Sequence, residues 1–387
     1  MDLSKLSRSQ LLEKCAELKI EKVKSKTKPQ LIDCIQVALA EPEPIAREDE
    51  PEDNDKPEDN DKPTFIEVCA GGGGLSAGLI KAGFTPLLLN DNVADCCKTL
   101  KKNHPTANVV LGSMADIDFT KYVGKVDLLT GGVPCQSFSQ AGLRKGLSDP
   151  RGDLMMKFID IVELVQPKVF MVENVKGLLT HENGDTIKRI VEAMTASQLY
   201  DVKYQCLDAS KYGVPQKRER VLIIGTLRRG GEKAFEFPME TGERVVLKDA
   251  LKDVPESIGA QYPEEKKRLF RMIPQGGCWV NLPEDLQKTY LGNSYHSGGG
   301  KRGILYRLSM EKPSLTLLCT PSQKQTERCH PLEERPLTVR EYARVQTFDD
   351  THEFVGSMSS QYKQIGNAVP VRLAEKMGKS ILDYLQQ

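Results

Sequence analysis

The sequence predicts an α/β protein built on a doubly wound, mostly parallel sheet, with a smaller second lobe and a small helical unit ahead of it. Three observations carry this expectation. Short, apolar, β-rich runs recur at 64–70 (TFIEVCA), 85–91 (TPLLLND), 125–131 (KVDLLTG), 167–173 (PKVFMVE) and 219–225 (ERVLIIG). Helix-patterned stretches such as DLMMKFIDIVELVQ (153–166) lie between them, the alternation expected of a sheet covered by helices on both faces. From 227 to 335 that rhythm fails, and 336–387 complete the first domain.

Taken in order, SRSQLLEKCAELKI places Leu11, Leu12, Cys15 and Leu18 at helical spacing, with Ser9 as a candidate N-cap. A basic turn, EKVKSKTKPQ, leads to a second helical pattern carrying Leu31, Ile32 and Ile35. This 1–40 unit loosely resembles a SAP-type DNA-binding module, without the glycine often found in the SAP turn. A helical hairpin for a protein contact fits the same residues. Residues 41–63 hold eleven acidic and three basic residues and repeat PEDNDK in tandem. So little apolar surface cannot offset the cost of ordering, so the segment reads as a flexible, charge-extended linker.

The net charge of zero is an average of unlike parts: +3 over 1–40, −8 over 41–63 and +5 over 64–387. A mildly basic body behind an acidic tether is compatible with a polyanionic partner. No apolar segment is long enough to span a bilayer, and MDLSKLSRSQ lacks the apolar core of a signal peptide. The expectation is an intracellular protein with no membrane partner, cytoplasmic in a prokaryote and in the nucleus or a viral compartment otherwise. Ten cysteines without a CxxC pair, beside five histidines, predict reduced thiols and no metal site.

AGGGGLSAG (70–78) follows a strand and opens a helix, which aims backbone N–H groups at a ligand; taken alone, it also fits a plain turn. Asn90–Asp91 ends the next strand, where a carboxylate suits two ribose hydroxyls. Asp116–Ile117 follows the third strand, offering a carboxylate to an adenine amino group and an apolar face to its ring. Each acid singly fits a cap or loop role; three strand ends together suit an adenosine group. GGVPCQSFS (131–139) then sets Cys135 in a turn, and MVENV (171–175) sets Glu173 at another strand end. A thiolate and a carboxyl facing one crevice suit methylation of carbon-5 of a pyrimidine. Thiolate addition at carbon-6 makes carbon-5 nucleophilic, while a carboxyl at nitrogen 3 stabilises the charge arriving there. In YGVPQKRERVLIIG (212–225), Gln216, Arg218 and Arg220 alternate and so share a face, although KRER alone also fits a solvated charge run.

The ordered blocks FIEVCAGGGGLSAG, LLLNDNVADCCKTLKKNHP, ADID, GGVPCQSFSQAG, DPRGDLMMKF, MVENVKGLL, YGVPQKRERV, RPLTVREYARVQTF and YKQIGNAVP resemble the DNA (cytosine-5) methyltransferases across 64–387. The resemblance implies a class I S-adenosylmethionine-dependent methyltransferase fold over 64–226 plus 336–387, with a target-recognition domain at 227–335. It implies S-adenosylmethionine as cofactor, double-stranded DNA as partner, base flipping and a monomer. Cys135 would be the nucleophile and Glu173 the residue at nitrogen 3. Arg220 would meet the base carbonyl, Arg218 would position the cysteine loop, and Asn174 would orient the loop around Glu173. Gln136 and Ser139 would touch the DNA. The cofactor pocket would comprise Cys69, Ala70, Gly71, Gly72, Gly74, Leu75, Asp91, Asn92, Asp116, Ile117, Pro134, Leu154, Asn367 and Val369. The chain departs from the family pattern at Glu67 (usually aspartate), Cys69 (usually aromatic), Asp91 (usually glutamate) and Asn92 (often aromatic). A tRNA-methylating relative would carry a Cys-Phe-Thr tripeptide, and a silent DNA-binding recruiter would lose Pro-Cys or Glu-Asn-Val; neither pattern is met.

Overall fold

The structure, a computed structural model, describes residues 6–17, 31, 62–134, 154–228, 234–296, 303–324 and 326–387. The chain divides into two compact units, Met1–Asn60 and Asp61–Gln387. In the first, helix α1 (Arg8–Glu17) starts earlier than the sequence suggests. Ser7 Oγ accepts the Gln10 N–H at 3.3 Å while Gln10 Oε1 accepts the Ser7 N–H at 2.9 Å, a reciprocal cap. Ser9, already inside the first turn, is therefore not the N-cap. Leu11, Cys15 and Leu31 are buried; Leu18, Ile32, Ile35 and residues 41–61 lie outside the described residues.

In the second unit the strands are β1 (Thr64–Val68), β2 (Thr85–Asp91), β3 (Val109–Leu111), β4 (Leu128–Gly131), β5 (Val169–Val175), β6 (Tyr200–Asp208), β7 (Gln216–Lys217), β8 (Glu219–Leu227) and β9 (Ser314–Leu315). Seven of them form one sheet, ordered β3-β2-β1-β4-β5-β8-β6, and β7 pairs with β9 separately. The β1–β2, β2–β3, β1–β4 and β4–β5 pairs are parallel, whereas β8 runs antiparallel to both β5 and β6. The chain winds outward from β1 to β3 and returns to β4 on β1's other side. That reversal opens a crevice at the C-terminal ends of β1 and β4, where ligands of such sheets bind.

Alternate strand residues enter opposite cores, as the period of two requires. Phe65, Leu89, Leu128 and Met171 join α2 (Gly74–Ala82) and the C-terminal helix on one face. Ile66, Leu88, Leu129 and Phe170 meet α4 (Leu154–Val165) and α5 (Asp185–Thr195) on the other, with α3 (Ala94–Asn103) following β2. The irregular lobe holds α6 (Glu264–Arg271) and α7 (Glu284–Leu291) around its own core of Tyr262, Phe270, Ile273, Leu282, Leu291 and Leu305. A further cluster joins Leu247, Leu308 and Leu317 to Tyr342, Phe348, Tyr362 and Ile365. These last belong to the run of α8 (Val339–Val345), α9 (Met358–Asn367) and α10 (Val371–Leu385). Among the described residues no helix is long and apolar enough to cross a membrane.

Candidate active site

The chain turns immediately after β1. Cys69 stands at φ 53° and Gly71 at φ 57°, both in the left-handed region; for Cys69 that conformation is strained, a feature that clusters at functional sites. Ala70 donates its N–H to Asn90 O at 2.9 Å, and Gly73 donates to Ala70 O at 3.1 Å, closing a turn at the start of α2. Among the described residues a Cβ on Gly71 would meet nothing within 4 Å, so they leave this side of the loop open. The loop's other side is packed. A Cβ on Gly74 would stand 2.4 Å from Val369 O, so residue 74 must be glycine for the helix start to approach the C-terminal segment.

Asp91 holds this loop. Its Oδ2 accepts the Gly71 N–H and its Oδ1 the Val93 N–H, each at 2.8 Å. The Asn90 amide donates to Val110 O and Gly112 O, both at 3.0 Å, and so ties the end of β2 to the end of β3. Glu67 is buried, and that burial pushes its carboxyl up to about 8 against the opposing pull of Ser76. Among the described residues its Oε2 has no hydrogen-bond partner. Burial, with the Asp91 and Glu67 charges, likewise pushes the Cys69 thiol up to about 12.

The register aligns the other expected contacts. Val68 pairs with Gly131 and Asp91 with Leu111, so the loops after β1, β2, β3 and β4 leave one edge of the sheet. Asn92, Asp116 and Pro134 are exposed on these loops, and Ile117 is half-buried. Leu75 is buried, Leu154 half-buried at the start of α4, Asn367 exposed and Val369 buried. Asn367 Oδ1 accepts the Cys319 thiol at 2.8 Å.

At the end of β5, Glu173 pairs with Arg220, Oε1 to Nε 2.7 Å, both almost fully buried. Burial pushes the Glu173 carboxyl up, while Arg220 and then Arg218 pull it down; the net direction is upward. Asn174 donates Nδ2–H to Val133 O at 3.0 Å, and a Cβ on Gly132 would lie 3.5 Å from Glu173 Oε2. The segment leading to Cys135 therefore passes directly beside Glu173. Cys135, Gln136 and Ser139 themselves lie outside the described residues.

The antiparallel sense of β8 explains how the KRER stretch reaches this edge: a reversed strand presents its N-terminal end where its neighbours present their C-terminal ends. Arg220 lies opposite Val175 in the register. Arg218 turns elsewhere. It is buried and donates to Leu317 O at 3.2 Å, Gly366 O at 2.9 Å, Ala368 O at 2.9 Å and Asn367 O at 3.4 Å. Burial and the Arg220 charge lower it to about 9. The two guanidiniums thus serve different partners rather than a single group. Gln216 spans a similar junction, donating to Gln346 Oε1 and accepting the Leu317 N–H, each at 2.9 Å.

Sequence reasoning missed Gln346, which donates to Ile365 O at 2.8 Å and Ala368 O at 3.3 Å, His352, whose Nε2 lies 3.0 Å from Gly72 O, and Leu317, whose main chain meets Arg218 and Gln216, because these roles rest on backbone groups that carry no residue signature. Among the described residues, a cleft of about 590 Å³ lined by Lys211, Lys217, Glu240, Arg244, Tyr306 and Lys312 contains none of those expected at the site. Among the described residues no group of three metal-ligating side chains occurs.

Residues 63–383 match the family described as C-5 cytosine-specific DNA methylase. The chain is 48% identical over 332 residues to the Type II methyltransferase M.Eco47II of Escherichia coli, covering 84% of this chain and 80% of that one. It is 43% identical over 328 residues to the Type II methyltransferase M.Sau96I of Staphylococcus aureus, covering 83% and 76%. Among solved structures, a prophage-encoded E. coli protein named as a DNA modification methyltransferase superposes with a TM-score of 0.63 at 25% identity, covering 84% of this chain and all of that one. The Dnmt2 methyltransferase of S. pombe, at 16% identity and a TM-score of 0.62 over 84% of this chain and all of that one, shares the fold. With the ordered strand-end residues and these matches together, the chain belongs to the C-5 cytosine-specific DNA methylase family and is a DNA cytosine-5 methyltransferase.

Proposed function

We propose that the crevice at the ends of β1, β2, β4 and β5 binds S-adenosylmethionine and a flipped cytosine side by side, with Cys135 as nucleophile and Glu173 as its partner carboxyl. The observation carrying this reading is the buried Glu173–Arg220 pair standing beside Gly132 and Val133, two residues from Cys135. The cofactor fits the residues present. A left-handed glycine turn left open by the described residues, an Asp91 carboxylate bracing that turn, and exposed acidic and amide groups at the next strand ends suit a nucleoside and an amino acid. Gly71 to Leu75 would hold the methionine part with Cys69 and Ala70 beside them, Asp91 the ribose, and Asp116 and Ile117 the adenine, which Asn92 would cover. Pro134, Leu154, Asn367 and Val369 would close the pocket. When bound, S-adenosylmethionine supplies a methyl group on a sulfonium, an electrophile that needs no further activation.

The chain's own residues do the rest. The Cys135 thiolate adds to carbon-6 of the cytosine, breaking the 5,6 double bond and placing electron density on carbon-5; once carbon-5 carries the methyl group, its proton leaves to solvent and the Cys135–carbon-6 bond breaks, restoring the double bond and the thiolate. Its upward-shifted carboxyl lets Glu173 hold a proton at nitrogen 3 as charge arrives there. Arg220 meets the base carbonyl and steadies Glu173, while Gln136 and Ser139 contact the displaced nucleotide's strand. The base leaves its stack to enter such a pocket, at a cost of about a few kcal/mol. The lobe at 227–335 reads the target sequence in duplex DNA, and the 1–40 unit serves either added DNA affinity or a protein contact. The enzyme acts as an intracellular monomer.

The test is expression in cells lacking cytosine methylation, with 5-methylcytosine mapped by bisulfite sequencing and Cys135→Ser as control. Methylation confined to one short motif and absent in the control supports the reading. Folded protein that binds S-adenosylmethionine yet leaves DNA unmethylated would shift it to an RNA substrate or a recruiting role.

A further inference from the structure

His352 lies 280 positions along the chain from the glycine turn, yet its Nε2 is 3.0 Å from Gly72 O. A carbonyl oxygen carries no proton, so the imidazole is the donor and its hydrogen sits on Nε2. Its surroundings keep it neutral. The side chain is buried between Phe348 and Phe354, with ring centroids 4.6 and 4.9 Å away, and His104 stands at 6.3 Å. Burial, with the His104 and Arg340 charges adding to it, lowers its protonation to about 4 despite the bond to Gly72.

That pocket asks for an aromatic ring, and phenylalanine would fill it at no desolvation cost. What a histidine adds is one N–H, directed at one carbonyl. The Gly72–Gly73 peptide is planar and trans, so its C=O and N–H point in opposite directions. The carbonyl is held by His352, and the N–H is held by Ala70 O at 3.1 Å. The peptide plane at the centre of the turn is thus pinned from both sides. The histidine's own backbone is also anchored, with His352 O accepting from Arg340 at 2.9 Å and its N–H donating to Asp349 O at 3.1 Å.

We propose that His352 is a positioning residue for the cofactor: its Nε2–H fixes the Gly72 carbonyl and thereby keeps the 70–74 turn in its ligand-ready shape before S-adenosylmethionine arrives. The inference rests on the reading of that turn as the S-adenosylmethionine site. The role assigned to His352 runs through the Gly72 carbonyl and not through contact with cofactor or base.

The experiment compares wild type, His352→Phe and His352→Gln by calorimetric titration with S-adenosylmethionine, without DNA. Hydrogen–deuterium exchange of the 69–76 peptide is followed in the cofactor-free proteins. His352→Phe keeps the aromatic packing and removes the donor; the loss expected is about 5- to 10-fold in affinity, the scale of one hydrogen bond, with faster exchange in the turn. His352→Gln, which restores an N–H donor, should recover to within about twofold. In steady state, KM for S-adenosylmethionine should rise while KM for DNA and kcat at saturating cofactor hold. Unchanged affinity and exchange in His352→Phe would overturn the proposal, as would equal impairment of both variants, which marks a packing role. Should His352→Phe not fold, His352→Met is measured in its place against the same criteria. If wild type itself fails to bind S-adenosylmethionine, the cofactor reading falls, and the exchange comparison still decides whether His352 orders the turn.

Discussion

Gly74 and Val369 meet so closely that the Val369 carbonyl occupies the space where any side chain on residue 74 would begin, 2.4 Å from an ideal Cβ. The first turn of α2 and the segment before α10 are thereby locked together at the rim of the crevice. Gly74→Ala should force them apart and cost about 1–3 kcal/mol, with weakened S-adenosylmethionine binding. The urea midpoint checks it; a midpoint equal to wild type would contradict this packing.

Glu67 provides a pH signature. Its folded value, about 8, stands above the ordinary carboxylate value, so the stability linked to it is whole below about pH 4.5 and is lost as pH rises toward 8. That loss is on the order of a few kcal/mol. Glu67→Gln removes the charge but keeps the shape, so it should melt above wild type at pH 8, with the gap narrowing toward pH 5. Melting curves that stay parallel across this range would show that Glu67 is not charged at a cost in the folded protein.

Arg218 satisfies backbone carbonyls from two distant segments, 317 and 366–368. Lysine is a point donor without the planar fork and cannot reach them together. Arg218→Lys should lose about 2–4 kcal/mol through carbonyls left unmet in the interior. A loss below about half a kcal/mol in chemical denaturation would argue that water replaces the guanidinium there.

Glu173→Gln keeps the volume beside Arg220 but cannot exchange a proton with the base. Single-turnover methyl transfer should fall by about 10²- to 10⁴-fold, with the far-ultraviolet spectrum unchanged. Activity within tenfold of wild type would remove Glu173 from the chemistry.

The parallel strands were legible because they are buried on both faces, so TPLLLND and PKVFMVE are nearly unbroken apolar runs. β6 was not: YDVKYQCLD lies at the sheet's edge, and its exposed Asp201, Tyr204 and Gln205 interrupt any apolar signal. β3, three residues long, gave only an indirect trace through the acidic turn after it. In the site, Asp91, Glu173 and Arg220 stood out because charged groups at strand ends are chemically conspicuous. His352 and Gln346 did not, since what they hold is main chain, identical at every position. The spacing of two predicts that Arg218 and Arg220 share a face. β7 ends at Lys217, however, so Arg218 falls between strands and follows a different direction from Arg220.

The glycine turn at 70–74 draws its support from residues 348–369, far along the chain, which a ribosome makes long after the turn itself. During synthesis the sheet's first strands can pair while the turn still lacks His352, Val369 and α10 against it. Contacts so far apart in sequence close late. The turn therefore settles into its packed form only once the segment carrying His352 and Val369 has docked, and a growing chain with much of its sheet in place still lacks that shape.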